Sequence, residues 1–166
     1  MKFHATKEFL PEDMREMINE RVSRYPEGWQ RSAVIDALRE AQHRNGGYLD
    51  ERWMDAIADQ LDLPPIDVYE VATFYSMFET RPVGRNSVSI CTNISCMLRG
   101  SDEIVEHAEK KLGIKVGQTT SDGRVYLKCE EECLAACKGA PMMMVNHKYH
   151  ENLTPEKVDE ILDGLE

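Results

Sequence analysis

The chain has 166 residues, enough for one medium domain or two small ones, and carries 30 acidic against 20 basic side chains, a formal net charge of −10. No cluster of Lys and Arg supplies the basic face that replaces phosphate counterions, so nucleic acid is not expected as a partner. The opening stretch MKFHATKEFLPEDMREM has no continuous apolar run, and nothing later approaches bilayer length, so a soluble, intracellular chain without signal peptide or membrane span is expected.

The first half reads as helices. Leu10-Pro11 opens one, with Pro11 expected at the first helical position and Glu12 and Asp13 suiting the positive start. Met14, Met17, Ile18, Val22 and Tyr25 follow at helical spacing, and Pro26-Glu27-Gly28 breaks the run. A second helix carries Ala33, Val34, Ala37, Leu38 and Ala41 and stops at Asn45-Gly46-Gly47. Asp50 caps a third, with Trp53, Ile57, Ala58 and Leu61 inward. Pro64-Pro65 starts a fourth, whose stripe runs through Val68, Val71, Ala72 and Tyr75 to Phe78. These stripes are the core of a bundle.

Arg81-Pro82-Val83-Gly84 marks a boundary, giving an expected helical bundle over 1–80 and a second domain over 81–166. Beyond it short strands alternate with helices: a strand Ser87 to Cys91, and a helix capped by Ser101 and stopped at Gly113. A strand Arg124 to Cys129 follows, then one from Met142 to Val145 that turns near His147-Lys148 into another around Tyr149. Thr154-Pro155 opens a last helix with Val158, Ile161, Leu162 and Leu165 inward. A small sheet with helices packed on it, behind a helical bundle, is an α+β chain whose second part is an α/β layer of thioredoxin size.

Five cysteines stand in two groups, Cys91 and Cys96 in CTNISC, then Cys129, Cys133 and Cys137 in KCEEECLAACKGAP. Reduced, closely spaced thiols in an odd number point to a metal site rather than a disulfide framework. Motifs for nucleotides, zinc proteases and CxxC redox pairs are absent. In RVYLKC, Val125, Leu127 and Cys129 share a strand face, which makes Cys129 a small buried hydrophobe and the spare thiol. Cys91, Cys96, Cys133 and Cys137 are then the expected ligands; the competing set has Cys129 in place of Cys137. Four thiolates on two loops suit tetrahedral zinc or a 2Fe–2S cluster, and spacing does not separate the two.

The spacing CxxxxC followed by ECLAACKGAPMM is similar to the 2Fe–2S thioredoxin-like ferredoxins, and RNGGYLDERWMDAIADQLDLPPIDVYEVATFYSMFETRPVG resembles the small 2Fe–2S subunit of the NADH-oxidising module of respiratory complex I. The resemblance covers Tyr25 to Leu162. It implies one 2Fe–2S cluster on Cys91, Cys96, Cys133 and Cys137, with no catalytic residue on this chain. It also implies a larger flavoprotein partner that binds NADH and FMN, docking through the helical half, other subunits of the peripheral arm, and a place on the cytoplasmic face of a membrane-bound complex. The equivalent subunit of an NAD-linked hydrogenase or formate dehydrogenase is the near alternative. A zinc-stapled interaction module is the alternative of another class. The family commonly has Gly where Ala135 or Ala136 stands, which constrains that turn here.

Glu130, Glu131 and Glu132 adjoin Cys133 and disfavour an added electron, while Arg99, Lys128, Lys138 and the positive end of the helix near Ser101 oppose them. Replacing all three Glu by Gln is expected to raise the midpoint potential in a redox titration followed by EPR. An unchanged potential would show a solvated loop, its charges screened over about 10 Å at ordinary salt.

Overall fold

The computed structural model describes residues 5–130 and 133–166, with the backbone alone for Cys129 and Glu130. The expected burial of Cys129 and the influence of the Glu130–Glu132 run therefore lie outside the described residues. Contacts divide the chain into two compact units, Met1–Pro82 and Val83–Glu166.

In the first unit a 3-10 turn, Lys7–Phe9, precedes α1 (Glu12–Val22). Pro11 does not take the first helical position expected of it. At φ −54 and ψ 147 it is the extended flanking residue, and Glu12 opens the helix. A second unforeseen 3-10 turn, Gln30–Ala33, leads into α2 (Val34–Arg44), which ends at Asn45 with Gly46 and Gly47 both at positive φ. Asp50 caps α3 (Glu51–Gln60) by accepting from the N–H groups of Arg52 and Trp53 at 2.9 and 3.2 Å, a cap that contributes about 1 kcal/mol.

Pro65 does open α4 (Pro65–Phe74), but the helix stops short of the expected Phe78 because Tyr75 is extended. Phe78 still reaches the core. The segment beyond the helix is clamped by buried Gln42, whose amide donates to the Met77 carbonyl at 3.0 Å and accepts from the Glu79 N–H at 2.8 Å. Leu10, Met14, Ile18, Leu38, Leu49 and Ile57 form the fully buried centre of this unit; helical periodicity selects Met14, Ile18, Leu38 and Ile57, while Leu10 and Leu49 come from the segments between helices. Asp55, buried beside them, accepts from the Tyr69 hydroxyl at 3.0 Å.

The second unit is a five-stranded sheet flanked by helices. Its strands are β1 (Asn86–Cys91), β2 (Gln118–Thr119), β3 (Val125–Glu130), β4 (Met143–Val145) and β5 (Lys148–His150). They lie in the order β2-β3-β1-β4-β5. Only β1 and β3 run parallel, with Cys91 beside Glu130 at their carboxyl ends; the other pairs are antiparallel. The β4–β5 turn is Asn146-His147, both at positive φ, as a tight two-residue hairpin requires. Tyr126, on the opposite face of β3 from Val125 and Leu127, is buried too.

Three helices complete the unit: the short α5 (Ile94–Met97), which was not anticipated, α6 (Ser101–Leu112) and α7 (Pro155–Asp163). Ser101 is not the cap of α6. Gly100, at φ 86, takes that place, and Ser101 is the first helical residue, fully buried. Its hydroxyl is without a hydrogen-bond partner among the described residues. Gly113 and Thr154 do terminate and cap as read. α6 and α7 pair along their polar edges through His107–Asp159 at 2.8 Å and Lys111–Asp163 at 2.7 Å. Val88, Ile90, Leu127, Met143, Val158 and Leu162 lie in the core of this unit.

Gly84 lies where a Cβ would stand 2.7 Å from the Val125 carbonyl carbon and 2.8 Å from the Tyr126 nitrogen. Both are backbone atoms of a strand that cannot retreat without breaking its pairing. Gly84→Ala is therefore expected to destabilise the protein by about 1–3 kcal/mol in denaturant unfolding; a stability equal to the native chain would refute this close approach.

Candidate metal centre

Cys91 is the last residue of β1, and its N–H donates to the Met142 carbonyl at 3.1 Å, which ties the strand end to the segment entering β4. The chain then turns at Thr92-Asn93. The Asn93 side chain accepts from the Ile94 N–H at 2.9 Å and starts α5, placing Cys96 one turn back over the strand end. Cys91 and Cys96 are 1% and 2% exposed. They pack with Ala140 and Met142, and Leu134 and Ala136 close over them.

Cys133 and Cys137 are exposed and belong to the second loop, Cys137 opening a 3-10 turn, Cys137–Gly139. Their sulfurs stand 3.2 Å apart. Between them Ala135 adopts φ 64, so that its N–H donates to the Cys133 sulfur at 3.3 Å. That left-handed position is where a glycine would sit without strain. The Ala140–Pro141 peptide, cis in the structure, closes the loop. Arg99, just past α5, reaches across to donate to the Ala140 carbonyl at 3.4 Å and so joins the two loops.

Of the four expected ligands, Cys133 and Cys137 meet in the second loop, while Cys91 and Cys96 pack together with Ala140 and Met142 beneath Leu134 and Ala136 of that loop. Burial, and next the neighbouring Cys91, push the Cys96 thiol up to about 11, so it is protonated at neutral pH. The hydrogen bonds from Cys137 and from the Ala135 N–H hold Cys133 below the ordinary thiol range, which makes it the first of the exposed pair to ionise.

Among the described residues, no three His, Cys, Asp or Glu side chains close round a point where a single metal ion would sit. The donors are thiols throughout, two from each loop, lined by small and apolar residues. That set fits a 2Fe–2S cluster, which takes two thiolates on each iron. His107 pairs with Asp159, His147 lies in the β4–β5 turn, and Met142 and Met143 fill the core.

One contact at the sulfurs was not foreseen, that of the Ala135 N–H with Cys133. Asn93 before an apolar residue is a cap signal that was open to reading.

The family model for thioredoxin-like 2Fe-2S ferredoxin matches residues 18–166. An NADH-quinone oxidoreductase subunit from Rickettsia bellii is 44% identical over 144 residues, covering 87% of this chain and 86% of that one. The mitochondrial NADH dehydrogenase [ubiquinone] flavoprotein 2 of Dictyostelium discoideum is 40% identical over 162 residues, covering 98% of this chain and 65% of its own length. A crystal structure of an NAD+-reducing NiFe-hydrogenase superposes with a TM-score of 0.64 at 23% identity, over 76% of this chain and 22% of that one, a likeness of fold. By these matches the chain belongs to the thioredoxin-like 2Fe–2S ferredoxin family.

Proposed function

We propose that this chain is the electron-transfer subunit of an NADH:quinone oxidoreductase, holding one 2Fe–2S cluster on Cys91, Cys96, Cys133 and Cys137. The observation that carries the reading is the convergence of four thiols from two loops at one end of the sheet, in a chain 44% identical to a subunit of the Rickettsia bellii NADH-quinone oxidoreductase. Bound there, a 2Fe–2S cluster accepts and returns one electron at a time.

The chain's own residues supply the housing. Cys91 and Cys96 form its dry inner wall with Ala140 and Met142, and Cys133 and Cys137 form its solvent side. The Ala135 N–H donates to the Cys133 sulfur, a hydrogen bond that stabilises thiolate charge. Loading requires the buried Cys96 to lose its proton, so cluster binding releases protons.

The partner in this reading is the flavoprotein subunit that binds NADH and FMN, within a peripheral arm on the cytoplasmic side. Among the described residues no helix is long and apolar enough to cross a membrane. The helical unit offers apolar surface for docking: Trp29 is 64% exposed, Ile66 62% and Phe74 77%. These lie on adjoining elements, since Arg31, two residues past Trp29, pairs with Asp67 at 3.4 Å and Glu70 at 3.2 Å on α4.

Two measurements test the reading. Ala at Cys91, Cys96, Cys133 or Cys137 is expected to abolish the iron and acid-labile sulfide of the anaerobically purified chain, whereas Cys129→Ser leaves both at the native level. Zinc without iron in the native chain would refute the cluster. Trp29→Asp with Phe74→Asp is expected to weaken binding to the flavoprotein by about tenfold or more, ~1.4 kcal/mol, with iron content unchanged; undiminished binding would move the docking surface elsewhere.

A further inference from the structure

The second cysteine loop is tied down just beyond Cys137. The Gly139 carbonyl accepts from the Asn152 N–H at 2.6 Å, the Pro141 carbonyl from the Leu153 N–H at 2.9 Å, and the Ala140 carbonyl from Arg99 at 3.4 Å. Gly139 is buried, and the Glu151 side chain fills the space that a Cβ would take there. The two sulfurs ahead of these ties are exposed.

Between Cys133 and Cys137 the chain already makes the reversal that a small ring needs. Ala135 takes φ 64, its N–H donates to the Cys133 sulfur at 3.3 Å, and Cys137 opens a 3-10 turn. The sulfurs are 3.2 Å apart, and a disulfide holds its sulfurs at about 2.05 Å, so closure needs an approach of only about 1.2 Å. The inner pair differs. Cys91 and Cys96 are 1% and 2% exposed and lie beneath Leu134 and Ala136. Thiol–disulfide exchange requires that the reagent reach the sulfur, so the outer pair is open to it and the inner pair is shielded.

We propose that Cys133 and Cys137 are a reversible disulfide site of the chain before loading, and that this bond gates cluster insertion. The oxidant is a small-molecule disulfide, RSSR. One sulfur of the pair attacks it, expels RSH and is left as a mixed disulfide; the second sulfur attacks the first and expels the other RSH. One S–S bond is made for the one broken, and the two electrons and two protons lost by the pair leave on two RSH. While the ring is closed, two of the four thiolates proposed as ligands are missing. A dithiol reductant reverses the exchange and returns them. Exposed disulfides belong to the labile, regulatory class, which suits a chain whose other thiols stay reduced. The gate rests on the cluster reading above, whereas the bond itself does not.

The experiment exposes the full chain to glutathione disulfide in two ways, after its iron has been stripped and while a chelator withdraws the iron from the loaded chain. The loaded chain without chelator is the control. Free thiols are alkylated after denaturation, and the tryptic peptide 129–138, which carries Cys129, Cys133 and Cys137, is weighed and fragmented. The expected result is a Cys133–Cys137 ring in both iron-depleted samples, with Cys91, Cys96 and Cys129 alkylated, and an open peptide in the control. Cys133→Ser and Cys137→Ser are each expected to keep one glutathione on the remaining thiol of the loop. Iron loss without ring closure, stable glutathione adducts on both thiols of the native loop, or equal oxidation of Cys91 and Cys96 would overturn the site. For the gate, open and closed chains meet a carrier protein already holding a 2Fe–2S cluster, with no free sulfide or thiol. The open chain is expected to gain iron, the closed chain none until dithiothreitol is added; equal uptake would overturn the gate. No uptake by either chain is a separate result and strikes at the cluster reading, leaving the ring to the peptide masses.

Discussion

The parallel pairing of β1 with β3 is the constraint on which the site depends. Two strands that run the same way finish at the same end of the sheet, so the loops that leave them start as neighbours. Here Cys91 lies beside Glu130 in the register, and the chain reaches Cys133 three residues after Glu130. β4 runs antiparallel to β1 with Met143 beside Ile90, so the segment from Cys137 to Met142 returns to that same end. Without the crossover through α6, a hairpin would leave the two cysteine groups at opposite ends of a strand pair.

Around that constraint the two units divide the work. The first buries a helical core with a carboxylate–phenol pair inside it and keeps large apolar side chains on its surface. The second spends its sheet and its paired helices on holding two loops still. The inner thiols are fixed by a strand end and one turn of helix, whereas the outer thiols are fixed by a left-handed alanine and a 3-10 turn.

Much of this was legible from the residues. Apolar spacing identified the helices α1 to α4 and the core that they bury, since period 3.6 follows from the geometry of the helix itself. Asp50, Gly113 and Thr154 acted as read because caps are local chemistry. The misses have physical causes. Pro11 and Ser101 each carry a helix-start signal, but the residue beside each took the boundary: Glu12 followed an extended Pro11, and Gly100 could adopt a left-handed φ. β2, of two residues, and α5, of four, are too short to show periodicity. The cysteine pattern told of a thiol site, yet the Arg99 contact with the Ala140 carbonyl, across 41 positions, leaves no trace in local spacing.

The unequal cover over the two thiol pairs has a consequence for where charge settles. Cys91 and Cys96 are walled in by Met142 and Ala140, whereas Cys133 and Cys137 border water. Solvent stabilises added negative charge far better than a hydrocarbon wall does, so charge gained by a group held on these thiols would be better accommodated on the Cys133–Cys137 side.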